Sequence, residues 1–263
     1  MRIGIVGATG WLGQALGLGL LSRGLTRPAD LVLLNRSGRL GGYGDHPGLR
    51  WASDMADLQA QSDVIVLSVR PEDFPLAGFD PGGRLVISFM AGWTMAALAA
   101  HAPSARLVRA MPNGNAVSGA SFTPWLAGAI TGHDCEVVET ILSAMGQAQR
   151  IETEAQLDYL TALSGSGAAY PALMARAMLA DAAARGLPPD VAQRAVEAVI
   201  CGSSGLLMGQ MGQVESLLEA YMSYRGITAA GLEAAERAGF GEALHAALSA
   251  ATDKAAAMGR DTG

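Results

Sequence analysis

RIGIVGATGWLGQALGLG, Arg2 to Gly19, is the stretch whose reading decides the fold. Ile3, Ile5 and Val6 make a short apolar run at the head of the chain. Gly7, Gly10 and Gly13 follow, and Leu12, Leu16 and Leu20 then recur at helical spacing. The order is strand, tight turn, helix, the context a dinucleotide-binding fingerprint needs. Glycines let the backbone turn sharply and approach a pyrophosphate, which then rests on the N-terminus of the helix. The spelling departs from the usual G-x-G-x-x-G, with Thr9 at the second position and the spacing G-x-x-G-x-x-G. A glycine turn after a strand also occurs as plain structure. The candidate contacts Gly7, Ala8, Thr9, Gly10, Trp11 and Leu12 therefore need support from elsewhere in the chain.

Composition narrows the field. The chain has 263 residues, 50% of them apolar and 16% charged, enough for one large or two modest domains. A net charge of −6 without a basic block argues against nucleic acid and anionic membrane as partners. Cys135 and Cys201 are far apart and fit no metal or redox spacing, and the four histidines are scattered, so no metal site is expected. A reducing cytoplasm is the expected compartment. No signal peptide is expected ahead of the first strand, and the uncharged run Leu85 to Ala100 is too short for a bilayer span and reads as a buried strand followed by a short helix. Lys254, near the C-terminal end, is the single lysine. That removes the Tyr-x-x-x-Lys dehydrogenases, which the GATGWLG turn otherwise suggests, together with lysine-dependent hydroxyacid dehydrogenases and Schiff-base chemistry.

Outward from the turn, Asp30 to Leu34 reads as a second strand that ends in Asn35, Arg36 and Ser37. An NAD-specific site places a carboxylate here, about 20 residues beyond the glycines. A guanidinium flanked by small polar side chains suits a 2′-phosphate instead, so NADP(H) is favoured, with NAD(H) as the alternative. An exposed loop arginine is the plain structural reading of Arg36. Gly38 to Gly48 reads as a mobile loop and Ser53 to Gln61 as a short helix. Asp63 to Val69, Arg84 to Met90 and Ala105 to Arg109 are further strands, ending at Arg70-Pro71, Ala91-Gly92 and Met111-Pro112-Asn113 respectively. Ser121 to Leu126 and Ala148 to Glu152 complete the set, around a helix over 135–144. The expected fold class is α/β: a Rossmann-type, doubly wound parallel sheet over 1–152, with ligands at the strand C-termini, and an all-α domain over 153–263. Helical periodicity covers 156–185, 189–209, 214–222, 228–238 and 241–258. These helices carry more apolar residues than one small domain can bury. A second subunit is expected to cover them, as a homodimer or larger assembly.

Leu163 to Tyr170 reads LSGSGAAY inside this helical pattern. Each interior glycine costs about 1 kcal/mol against alanine. The stretch makes sense where backbone packs closely, against either a ligand or a neighbouring domain.

Taken in order, the glycine turn, Asn35-Arg36-Ser37, Val69-Arg70-Pro71, Met111-Pro112-Asn113, the run from Asp158 to Tyr170 (DYLTALSGSGAAY) and Ser223 to Thr228 (SYRGIT) form a series. Over essentially its whole length the chain resembles the pyrroline-5-carboxylate reductase family, and the Ser-Gly-Ser-Gly block is the specific part. The resemblance implies a Rossmann domain, a helical dimerisation domain and reduction of a cyclic imine carboxylate to proline, in proline biosynthesis. It implies cofactor contacts at Gly7 to Leu12, Asn35 to Ser37, Ser68, Val69, Arg70, Pro71, Ala91 and Gly92, and a nicotinamide edge near Met111 and Pro112. It also implies substrate contacts at Asn113, Ser164, Gly165 and Ser166, and in the loop Ser223, Tyr224, Arg225, Gly226, Ile227 and Thr228. Thr228 is the candidate for the ring nitrogen, and Ser223 with the backbone of 226–228 for the carboxylate. A protonated imine is already electrophilic, so orientation supplies most of the acceleration and a missing lysine is no handicap.

The departures are informative. Gly114-Asn115 stands for the family's Thr-Pro, Ala168 for a proline, Tyr224-Arg225 for Pro-Gly and Ile227 for a small residue. Arg225 either grips a carboxylate or fills the pocket. Three readings follow: a pyrroline-5-carboxylate reductase, the same fold and cofactor with another imine or small carbonyl acid, or an NADP-binding regulator without catalysis.

Overall fold

The computed structural model describes residues 1–36, 42–44, 46–74, 78–167 and 169–260. Ser37 and Ala168 lie outside the described residues, as does part of the stretch read as a mobile loop. The chain forms two compact units, 1–166 with 250–263, and 167–249.

The first unit is built on one sheet. Its strands are β1 (Ile3–Val6), β2 (Leu31–Leu34), β3 (Arg50–Trp51), β4 (Val64–Leu67), β5 (Leu85–Ser88), β6 (Arg106–Ala110), β7 (Ser121–Ala127) and β8 (Gly146–Arg150). Their spatial order is β3-β2-β1-β4-β5-β6-β7-β8, and the first six follow the dinucleotide-fold order 3-2-1-4-5-6. β1 pairs in parallel with both β2 and β4, Ile3 standing opposite Leu31 and Val64. Continuous apolar runs such as VIVL in β4 are buried on both faces, as a parallel sheet requires.

Helices cover each face. α1 (Trp11–Ser22) and α4 (Gly132–Ser143) lie with Ile5, Leu33, Val66, Ile87 and Trp125 on one side. α2 (Met55–Gln61) and α3 (Met95–His101) lie with Val32, Ile65, Leu67 and Val86 on the other. Local signals set where the helices begin. The side chains of Asp54 and Thr94 cap α2 and α3. Thr131 with Asp134 forms a capping box on α4, and Thr153 with Gln156 one on α5 (Glu154–Leu160).

One pair departs from the all-parallel expectation: β7 runs antiparallel to β6. Residues 111–120 are all that join them. Such a length makes a return turn readily, whereas a parallel crossover normally needs a dozen or more residues. The expected mobile loop is also corrected where it is described, because Tyr43 is buried against α1.

The second unit is helical: α6 (Ala169–Ala184), α7 (Pro189–Glu197), α8 (Val214–Ser223), α9 (Ile227–Arg237) and the first ten residues of α10 (Phe240–Arg260). Two helices expected to be continuous are not. The pattern over 156–185 is α5, a π-turn at Thr161–Gly165 and then α6. Here the Thr161 and Ser164 hydroxyls donate back to the Leu157 and Leu160 carbonyls, a local competition that bends helices. The pattern over 189–209 likewise breaks into a π-turn at Ala198–Gly202 and a 3-10 turn at Ser203–Leu207. Its Ser204 hydroxyl donates to the Ile200 carbonyl.

Candidate functional site

The carboxyl ends of β1, β2, β4, β5 and β6 share one edge of the sheet, and most of the expected site residues of the first unit sit there. β1 delivers Gly7 with φ +79°, the left-handed region that favours glycine. A Cβ on Gly7 would overlap the Ser68 carbonyl oxygen and stand 2.8 Å from Val69 Cγ1. The Gly7 and Ala8 N–H groups donate to the Leu34 carbonyl at 2.9 and 3.1 Å, tying the turn to the end of β2. Gly10 is the extended N-cap residue of α1, which has no side-chain cap and no acidic residue in its first turn. A Cβ on Gly13 would overlap the Gly7 carbonyl, so helix and turn pack backbone to backbone. Thr9 is accommodated because it does not adopt a positive φ. The result is a glycine cradle under an uncapped helix N-terminus, and it fits a pyrophosphate. Trp11 is exposed at the first helical position, and Leu12 packs partly against the core. A Cβ on Gly114 would stand 3.8 Å from the Trp11 ring.

At the next edge Asn35 follows β2, and the Arg36 guanidinium donates to Asp73 Oδ1 at 2.7 Å. Arg70 Nε lies 3.2 Å from the other oxygen of Asp73 and its Nη1 3.6 Å from Glu72. The Arg36 hydrogen bond is the largest influence holding the Asp73 carboxyl below the usual range. Pro71 begins the 3-10 turn that carries Asp73. Sequence reading missed Asp73; Pro71-Glu72-Asp73 was its one trace.

Ala91 and Gly92 follow β5. Gly92 has φ +77°, and a Cβ there would stand 3.0 Å from the Met258 backbone oxygen, so α10 crowds one side of this turn. After β6, Met111 and Pro112 are buried and lead to Asn113. Its Nδ2 donates to the Ser164 carbonyl at 3.0 Å, and its Oδ1 accepts from the Asn115 N–H at 3.0 Å. Asn113 thus joins β6 to the π-turn that carries Ser164 and Gly165, with Ser166 directly beyond it. This amide is thus held by protein at both its nitrogen and its oxygen.

A second group escaped sequence reading. Arg109, 3% exposed on β6, forms an ion pair with Glu154 at the start of α5. Glu154 Oε1 also accepts from the Met95 N–H of α3 at 2.7 Å. Burial pulls the Arg109 guanidinium down to about 10, with the Asp158 carboxylate opposing, so it stays charged at neutral pH. Burial raises the Asp158 carboxyl, with Arg109 opposing. The clue was an arginine inside an apolar strand with two carboxylates four residues apart on a helix.

The loop 223–228 belongs to the second unit. The Ser223 hydroxyl donates to the Ala220 carbonyl at 2.9 Å. Arg225 has φ +50°, the only positive φ of a residue other than glycine among the described residues. The left-handed conformation costs about 1–2 kcal/mol for such a residue. Gly226 is the extended N-cap of α9, again without a side-chain cap, and Ile227 and Thr228 open that helix. Tyr224 is 86% and Ile227 94% exposed.

The strand order and glycine cradle define a Rossmann-type dinucleotide-binding protein with a helical C-terminal part. Residues 154–258 match the family model for pyrroline-5-carboxylate reductase dimerisation. The chain is 30% identical to pyrroline-5-carboxylate reductase 2 of Bacillus subtilis, over 92% of this chain and 90% of the relative. It superimposes on a pyrroline-5-carboxylate reductase from Coxiella burnetii with a TM-score of 0.85 at 25% identity, covering 98% of each chain. The Plasmodium falciparum pyrroline carboxylate reductase with NADP bound gives 0.82 at 25% identity, again over 98% of each chain. The chain belongs to the pyrroline-5-carboxylate reductase family, a family of NAD(P)H oxidoreductases.

Proposed function

We propose that this chain is an NADPH-dependent reductase of a cyclic imine acid, converting Δ1-pyrroline-5-carboxylate to L-proline in the cytoplasm. The observation that carries the reading is the uncapped glycine cradle of 7–13 within a chain that matches its relatives over nearly their full length. Bound there, NADPH supplies a hydride. Residues 1–152 hold the cofactor. Gly7 to Leu12 receive the pyrophosphate, Asn35, Arg36 and Ser37 the 2′-phosphate, and Ser68 to Pro71 with Ala91, Gly92, Met111 and Pro112 line the way to the nicotinamide. The absence of a carboxylate at 35–37 and the guanidinium of Arg36 support NADPH over NADH.

Residues 153–263 serve the substrate and the homodimer. Thr228 contacts the ring nitrogen, and Ser223 with the Gly226 to Thr228 backbone holds the carboxylate at the N-terminus of α9. Asn113, Ser164, Gly165 and Ser166 are the substrate contacts assigned to the first unit. The protein's work is orientation of an electrophilic carbon, so no lysine is required.

The test is loss of NADPH absorbance on mixing with Δ1-pyrroline-5-carboxylate. Turnover is expected; turnover confined to other imine acids, or none at all, overturns the reading. A second reading, another imine or small carbonyl acid, is favoured by one observation: Arg225 and Tyr224 stand where the resemblance has Gly and Pro, and Arg225 keeps the strained backbone. The double change Tyr224→Pro/Arg225→Gly is expected to raise kcat/KM for pyrroline-5-carboxylate. An unchanged value removes this loop as the substrate determinant.

A further inference from the structure

Tyr43 sits in a stretch that has no apparent role in a cofactor site, yet it is 2% exposed and belongs to the core under α1. Its hydroxyl reaches two backbone carbonyls of the glycine turn, Ala8 at 2.9 Å and Gly13 at 3.1 Å. The approach is made possible by Gly17, where a Cβ would stand 2.8 Å from Tyr43 Cζ and closer still to the hydroxyl. Two further contacts hold the residue in place. Gln14 Nε2 donates to the Gly42 carbonyl at 3.1 Å, and the Tyr43 ring meets Trp51 edge-on at 6.0 Å. Burial pushes the phenol far above its ordinary value, so it stays a hydrogen-bond donor throughout the working pH range.

The consequence lies on the other side of the peptide. A trans peptide is planar, with its C=O and N–H pointing in opposite directions. Holding the Ala8 carbonyl towards the core therefore turns the Thr9 N–H away from it. That N–H has no partner within the chain among the described residues, whereas the neighbouring Gly10 N–H is spent on the Gly7 carbonyl at 3.0 Å. The Gly13 carbonyl shares the same hydroxyl hydrogen, which links the turn to the first turn of α1.

We infer that Tyr43 is a positioning residue for the dinucleotide, aligning the Thr9 N–H and the N-terminus of α1 on the pyrophosphate from behind. This rests on the NADPH reading above. Thr9 has taken the place of a glycine in the fingerprint, and the phenol fixes the orientation of the peptide at that position from the core side.

The test is equilibrium binding to the full-length protein, with NADPH, NADH and adenosine 2′-monophosphate as probes. The last carries the 2′-phosphate but no pyrophosphate. Tyr43→Phe removes one buried hydroxyl and is expected to raise the Kd of NADPH and of NADH by the same factor, about fivefold to tenfold. Adenosine 2′-monophosphate should bind as before. Gly17→Ala, which displaces the phenol without removing it, should repeat the pattern. Arg36→Ala should do the opposite, weakening NADPH and adenosine 2′-monophosphate while sparing NADH. The inference is overturned if Tyr43→Phe leaves the NADPH Kd within twofold, or if it weakens all three probes alike, which marks general loosening. Wild-type protein that binds neither dinucleotide would overturn the cofactor reading itself, and the positioning role with it.

Discussion

The two units of this chain bury their apolar residues in different ways. In the sheet unit, strands and helices close on each other, and Ile5, Leu16, Leu33, Ile65, Ile87 and Trp125 all lie out of reach of solvent. In the unit 167–249, only Ala192 and Ala229 are buried among the described residues. Leu173, Leu206, Met208, Met211 and Phe240 all stand largely exposed. α6 and its neighbours line a groove of about 520 Å³ with Met174, Met178, Leu187 and Phe240 beside the Asp181 and Arg185 pair. An exposed apolar surface on this scale marks an interaction face. It reads as half a core, in agreement with the dimerisation family model that spans it. The sheet unit buries its own core, whereas the helical unit leaves most of its apolar side chains exposed.

Four changes would break or sharpen this contrast. Met174→Asp places a charge among the exposed apolar side chains of the helical unit. It should reduce a homo-oligomer to monomers in sedimentation velocity, raising the dissociation constant by about 100-fold or more, since a buried unpaired charge is costly. The melting temperature of the unchanged protein should vary with protein concentration, and that of the variant should not. An unchanged sedimentation profile would show that this face is not the half-core.

The second change probes the sheet unit's interior. Glu154→Ala leaves the buried Arg109 guanidinium with the Asp158 carboxylate alone to offset its burial and should cost about 3 kcal/mol in urea unfolding. The ion pairs of the helical unit, such as Arg185 with Asp181 at 2.8 Å, are exposed at both ends. Asp181→Ala should therefore cost less than about 1 kcal/mol. Equal costs would erase the distinction between the two units.

The smallest effect concerns the strained turn. Arg225→Gly relieves a left-handed arginine but adds freedom to the unfolded chain, for a net gain of about 0.5 kcal/mol. This corresponds to a rise of roughly 1–2 °C in melting temperature. A fall would mean that the guanidinium makes a contact in the assembly that outweighs its strain.

Much of the fold was legible in the residues alone. The strand, turn and helix at 3–20, the apolar strands ending at 70, 91 and 111, and the change to helix near 154 all follow from local patterns. So do Arg36 at the end of β2 and the ordered motifs of the family. These are properties of residues one to four places apart: period two or 3.6, a turn that needs glycine, a proline that ends a strand. The single lysine excluded whole mechanisms by composition.

Tertiary structure decided the rest. It ran β7 against its neighbour, and it brought Asn113 to the Ser164 carbonyl and Arg109 to Glu154 across 45 or more positions. It folded Tyr43 under the glycine turn and set Asp73 beside Arg36. It also holds Arg225 in a left-handed backbone that favours glycine. None of these leaves a periodic trace, because each joins residues whose neighbours in sequence carry no information about the partner. A local pattern states which face of an element is apolar; what that face meets is settled only when the elements pack.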